Sequence, residues 1–184
     1  MKRCLVFLLC LCLLAGLCAP AALAEEEDER PDTIVFSTTD REDGEWDEDA
    51  LGDYKLIMIN FWEPWCPPCV GEMPELEKLY EDYQERGFLI LGVYSTPEME
   101  DEVDKVLADC ETSYPILHYV EAFDAFQTGY VPTTIFVTGE GDVIGETVIG
   151  SQRYKDWESL ILSFELLDEE PVALIAGEDE AGKP

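Results

Sequence analysis

Residues 55–62 (KLIMINFW) form a nearly unbroken apolar run, and Cys66-Pro67-Pro68-Cys69 follows closely behind it. A run of that length and composition suits a β-strand covered on both faces. From about Cys69 to Arg86, residues Met73, Leu76, Leu79, Tyr80 and Tyr83 recur at three- and four-residue spacing. That is the period of a helix with one apolar face, and Gly87 stands where a helix C-cap is expected. Residues 88–94 (FLILGVY) then read as a second buried strand. Strand, helix and strand in succession imply parallel pairing through a right-handed crossover, which restricts the chain to a layered α/β sheet.

The cysteine pair falls where the first strand gives way to the helix. The first sulfur of such a pair sits at the helix N-terminus, where unsatisfied N–H groups and the positive end of the dipole favour a thiolate. Proline in the first helical turn sacrifices no hydrogen bond there and presets φ. The second cysteine lies one turn inside, shielded and able to reach back. Half of a zinc site is the competing reading, but the only further ligands on offer are Cys110 and His118, at no metal-type spacing. An inert structural disulfide is the other.

The rest of the chain extends the same pattern. Ile34 to Phe36, an Asp43-Gly44 turn signal and the region of Trp46 read as an N-terminal β extension. Residues 49–54 read as a short polar stretch. Glu98 to Cys110 is a helix candidate, Tyr114 to Val120 a short strand and Glu121 to Thr128 a brief helix. Thr133 to Thr138 and Val143 to Ile149 flank Gly139-Glu140-Gly141-Asp142, a hairpin signal. Tyr154 to Leu167 closes the domain as an amphipathic helix. The expected organisation is a leader over 1–24, an acidic linker over 25–32, one domain over 33–167 and an acidic flexible tail over 168–184.

The leader has Met-Lys-Arg, an apolar run and a terminal Ala22-Leu23-Ala24, the layout of a secretory signal. An uncleaved anchor and a lipid-anchored form through Cys18 are the alternatives. All three put the domain outside the cytoplasm, at the outer face of the cell membrane or in the periplasm. Four of the seven cysteines, Cys4, Cys10, Cys12 and Cys18, belong to that leader, leaving Cys66, Cys69 and Cys110. Three cysteines cannot form the framework that staples small secreted domains, so redox chemistry is the better reading. The net charge of −31 would repel phosphate backbones, which argues against nucleic-acid partners. With 47% hydrophobic residues the chain can still bury a core.

The segments NFWEPWCPPCVGEMPEL and YVPTTIFV, with the GEGDVIGE hairpin, resemble the thioredoxin superfamily. Within it they are similar to the extracytoplasmic TlpA/ResA-type thiol–disulfide oxidoreductases, over about Ile34 to Leu166. The resemblance implies a thioredoxin-like α/β fold, with a mixed central sheet flanked by helices, an N-terminal β extension and a central insertion. It implies catalytic roles for Cys66 and Cys69, with Glu72 of the Cys-x-x-Glu-x-Pro pattern exchanging the resolving thiol's proton. Pro132 matches the family's cis-proline, presenting the Val131 backbone to a peptide, and Pro74 matches its helix-kinking proline. Trp65 and Pro67 are expected at the substrate surface, and Trp62 is expected either to share the apolar rim of the groove or to belong to the core.

Asn60 departs from the buried aspartate of classical thioredoxins, which leaves proton exchange to Glu72 or water. Glu63, close to the motif, is expected to raise the Cys66 thiol pKa by like-charge repulsion, opposing the helix dipole. Glu63 also stands where peroxiredoxin-type sites carry Thr or Ser, which disfavours a peroxidase. The resemblance further implies protein disulfide or dithiol substrates, a membrane thiol carrier as electron donor, tasks such as cytochrome c maturation, and no cofactor or metal. The alternatives are a thiol oxidase or isomerase on the same fold, or a non-catalytic partner-binding module. Cys110 and His118 are expected to be structural.

Overall fold

The computed structural model describes residues 30–167. The expected leader over 1–24, residues 25–29 of the linker and the tail over 168–184 lie outside the described residues. Among the described residues, no helix is long and apolar enough to cross a membrane.

A short N-terminal hairpin pairs β1 (Ser37–Thr39) with β2 (Glu45–Asp47) in antiparallel register. Its turn is held by Asp40, whose carboxylate accepts from the N–H groups of Glu42 and Gly44 and from Trp46 Nε1. The stretch expected to be merely polar opens as α1 (Glu48–Leu51), capped by the Asp47 side chain on the Ala50 N–H. Leu51 drops into the core from there.

The main sheet comprises β3 (Leu56–Phe61), β4 (Phe88–Tyr94), β5 (Ile116–His118), β6 (Thr133–Thr138) and β7 (Val143–Ile149). Their spatial order is β5-β4-β3-β6-β7, with β5, β4 and β3 parallel and β6 and β7 antiparallel to their neighbours. The continuous apolar character of β3 and β4 has a simple cause: both faces are covered. Leu56, Met58, Phe88 and Ile90 point to one core. Ile57, Ile59, Leu89 and Leu91 point to the other.

The first face is packed by α2 (Pro67–Tyr83), α3 (Glu100–Asp109) and α4 (Tyr154–Ser163), through Met73, Leu76, Leu79, Val103, Trp157 and Ile161. The second face is covered by Ile34 and Phe36 of the N-terminal segment, by Leu51 and by the 3₁₀ turns of Glu121–Phe126. The N-terminal segment crosses that face. It bonds to the β6–β7 turn through Ile34 N–H to the Gly141 carbonyl, and to β5 through Arg41 N–H to the Ile116 carbonyl.

Several element boundaries shift. The helix after the cysteine pair, α2, begins at Pro67, two residues before Cys69, because Cys66 takes the N-cap position with extended backbone. The last helix ends at Ser163 instead of running to Leu167, and Glu165 has φ +57°, a left-handed conformation that stops it. The brief helix expected at 121–128 is 3₁₀ and ends at Phe126.

Candidate active site

The site grows out of the carboxyl end of β3. Beyond Phe61 the chain leaves the sheet, and the Cys66 N–H donates to the Glu63 carbonyl at 3.1 Å, a turn that points the first cysteine at α2. Cys66 caps this helix: its Sγ accepts from the Cys69 N–H at 3.2 Å. Cys66 and Cys69 form a disulfide with Cα atoms 5.3 Å apart. The bond thus lies at the positive end of a helix with the Cys69 N–H aimed at the Cys66 sulfur, the setting that stabilises a sulfur anion when it opens.

Across from the pair, the Val131–Pro132 peptide bond is cis, and the Val131 carbonyl oxygen lies 3.6 Å from Cys66 Sγ. Pro132 is buried and Val131 half-buried. Pro67 is exposed at the first helical position, and Trp65 is 58% exposed beside Cys66. Of the two places expected for Trp62, rim or core, the structure gives the core. The residue is 1% exposed, its ring packing on Tyr94 at 6.0 Å, so only an edge of it reaches the groove. Trp62 continues the face of β3 set by Met58 and Asn60, toward the core beneath α2, while Trp65 lies beyond the turn.

Beneath the disulfide lies a polar cluster inside the core. Glu72, three residues after Cys69 on the same helix face, is 2% exposed. Its Oε1 accepts from Asn60 Nδ2 at 3.1 Å and its Oε2 from the Gln152 N–H at 2.6 Å. Asn60 Nδ2 also donates to Thr134 Oγ1 at 3.0 Å. Burial pushes the Glu72 carboxyl up to about 7, against the two hydrogen bonds, which favour the anion. A carboxyl in that range takes or gives a proton near neutrality. The substitution of asparagine at position 60 has a local consequence: the amide supplies donors to Glu72 where a second acid would have repelled it.

Glu63 is the residue whose surroundings the sequence left most open. Its side chain is 4% exposed and turned to the end of β4, where Oε1 accepts from the Ser95 N–H at 2.9 Å and from Ser95 Oγ at 2.5 Å. Thr96 Oγ1 donates to Oε2. Sequence reasoning passed over Ser95, Thr96 and Gln152, because each acts from a loop distant along the chain. The only signal for them was position directly after a strand or before a helix, where loops carry function.

Cys110 is half-buried, its Sγ 3.8 Å from the Val70 carbonyl oxygen. Burial, with Asp109 beside it, pushes its thiol up, away from thiolate character. His118 is exposed at the end of β5. Among the described residues no group of three or more His, Cys, Asp or Glu side chains is arranged to hold a metal ion.

A five-stranded mixed sheet, with a Cys-x-x-Cys disulfide capping the helix after its central strand and a cis-proline facing it, defines a thioredoxin-like protein. More narrowly, the chain belongs to the AhpC/TSA family, whose sequence model matches residues 28–145. It is similar to the thiol-disulfide oxidoreductase ResA of Oceanobacillus iheyensis, 36% identical over 91 residues that cover 48% of this chain and 47% of that one. The ResA of Geobacillus kaustophilus is 32% identical over 115 residues, 60% of this chain and 65% of that one. The chain thus spans about half the length of the first of these relatives.

Among solved structures, the fold is shared with a thiol:disulfide interchange protein of the thioredoxin family from Chlorobium tepidum. Its TM-score is 0.63 at 22% identity, covering 73% of this chain and 96% of that one. It is shared also with StoA from Bacillus subtilis, at TM-score 0.60 and 18% identity, covering 71% and 99%.

Proposed function

We propose that this protein is an extracytoplasmic thiol–disulfide oxidoreductase that reduces protein disulfides through Cys66 and Cys69, in processes of the kind cytochrome c maturation requires. The observation that carries the reading is the Cys66–Cys69 disulfide at a helix N-terminus, with the Val131 carbonyl 3.6 Å from Cys66 Sγ. The similarity to proteins named thiol-disulfide oxidoreductase supports it. Placement outside the cytoplasm and an anchor or cleaved signal rest on the leader pattern of residues 1–24.

In the reduced enzyme the Cys66 thiolate attacks one sulfur of a substrate disulfide. A Cys66–substrate bond forms, the substrate S–S bond breaks, and the departing thiolate takes the electron pair and then a proton. The substrate lies extended along Val131, whose backbone pairs with it as a neighbouring strand would. Cys69 then gives its proton to Glu72 and attacks Cys66 Sγ. This forms the intramolecular disulfide and releases the second substrate thiolate. Two electrons pass from the dithiol to the substrate, and a thiol donor, proposed to be a membrane thiol carrier, restores the dithiol. Trp65 and Pro67 form the exposed surface beside the reacting sulfur.

The deciding experiment is thiol trapping of residues 25–184 across defined dithiol buffers. A potential near about −270 mV is expected of a reductase, whereas one near about −120 mV would make the protein an oxidant and overturn the direction. Cys69→Ser should accumulate a mixed disulfide through Cys66 with a protein disulfide substrate. A Cys66→Ser variant that still turns over substrate would refute the assigned nucleophile.

A further inference from the structure

A cleft of about 210 Å³ opens between Val131 and the end of β4, lined by Trp65, which precedes Cys66, and by Val131, whose carbonyl lies 3.6 Å from Cys66 Sγ. Pockets that enclose a free small ligand run to about 300–1,000 Å³, so this one suits a single side chain. Its rim is aromatic: Trp65 is 58% and Tyr130 69% exposed, and Tyr119 lines it as well. Glu63 and Ser95 also line it, and Glu63 is 4% exposed.

The Glu63 carboxylate is fixed by Ser95 and Thr96. A carboxylate offers about four acceptor directions, and three are taken here. All three donors are neutral, two hydroxyls and one backbone N–H, so they orient the group without cancelling a charge. A buried anion without a counter-charge is costly, and a cation entering the cleft offsets that cost. Aromatic faces at the rim add attraction for the same kind of ligand. The net charge of −31 makes cationic partners the ones drawn to this surface.

We propose that the cleft is a specificity subsite for a lysine or arginine side chain adjacent to the reacting cysteine of a peptide substrate. Glu63 is its counter-ion, and Trp65 and Tyr130 are its cation-binding faces. The proposal rests on the dithiol-exchange reading above. A peptide docked along Val131 with its sulfur at Cys66 brings the residue flanking its cysteine over this cleft. Glu63 therefore selects the substrate, while Cys66 and Cys69 react with it.

The test uses short peptides whose single cysteine is joined by a disulfide to thionitrobenzoate and flanked by lysine, norleucine or glutamate. Attack of the Cys66 thiolate on the peptide sulfur forms the Cys66–peptide bond and expels coloured thionitrobenzoate with the electron pair. At about 1 M salt the screening length falls to about 3 Å, which suppresses long-range steering by the acidic surface and spares a part-buried contact. Under those conditions the lysine peptide should react about tenfold faster than the norleucine peptide, and the glutamate peptide slowest of the three.

In Glu63→Gln, and separately in Tyr130→Ser, the lysine-to-norleucine ratio should fall toward one. Tyr130 is exposed, so its variant keeps the test valid if Glu63→Gln fails to fold. Equal rates for the three peptides, or a ratio untouched by the substitutions, overturn the subsite and leave dithiol exchange standing. No thionitrobenzoate release from any peptide overturns both.

Discussion

Glu72 is an acid placed where water does not reach it, and its pH behaviour follows from that. Its folded pKa of about 7 lies above the ordinary value of 4.5. A raised pKa in the folded state means stability that is full below pH 4.5 and lost as pH climbs through 7. The loss amounts to about 3 kcal/mol, the shift multiplied by 1.36 kcal/mol per unit. Denaturant unfolding of the oxidised protein should therefore show stability falling relative to Glu72→Gln across that window. A constant offset between the two proteins, with no change in slope, would mean that Glu72 titrates in the folded protein as it does in the unfolded chain. The neighbouring amide gives a second prediction. Thr134→Val removes an acceptor of Asn60 Nδ2, and an orphaned buried donor costs about 1–3 kcal/mol. Equilibrium unfolding that finds Thr134→Val as stable as the parent would show that Asn60 finds another partner.

At the scale of elements, two glycines near the site face opposite surroundings. Gly92 lies in the middle of β4, and a Cβ there would meet Ile116 Cδ1 at 2.5 Å and Trp62 Nε1 at 3.2 Å. Gly92→Ala should destabilise the protein by about 1–3 kcal/mol, as overpacked cores do, and it pushes on the tryptophan that underlies the groove. Gly71 lies in the exposed first turns of α2, with nothing within 4 Å of its Cβ position. Gly71→Ala should instead stabilise by about 0.5–1 kcal/mol, through the backbone entropy it removes. Chemical denaturation of the pair reads both signs, and a stabilising Gly92→Ala would show that β4 and β5 separate more easily than their packing implies.

These elements also show what the sequence could and could not reveal. The alternation along β3 is invisible in KLIMINFW, because both faces of the strand are apolar. Only the helices on one side and Ile34, Phe36 and Phe123 on the other explain it. Likewise, three-residue spacing put Glu72 on the face of Cys69, but nothing local marked it as buried among so many other acids.

For the molecule as a whole, the dominant long-range force is its own charge. With 42 acidic and 11 basic side chains, self-repulsion opposes the compact state. Salt screens that repulsion, so the melting temperature of the folded protein should rise as salt is added up to physiological strength and beyond. A falling melting temperature would assign the larger role to ion pairs such as Arg41 with Glu100 and Asp104, which tie the N-terminal hairpin to α3.

The division between sequence and structure follows the range of the forces involved. Helix and strand periods, the proline and cysteine at a helix start and the glycine turn signals act within a few residues. They were enough to indicate an α/β sheet with a Cys66–Cys69 pair at its functional edge. Tertiary packing alone decided the rest. It brought Val131 and Pro132 against Cys66 and seated Glu72 between Asn60 and Gln152. It turned Glu63 onto Ser95 and Thr96, and it buried Trp62 while leaving Trp65 in water. Burial and hydrogen bonding depend on which distant segments converge, and a carboxylate's chemistry is set by that convergence more than by its neighbours in the chain.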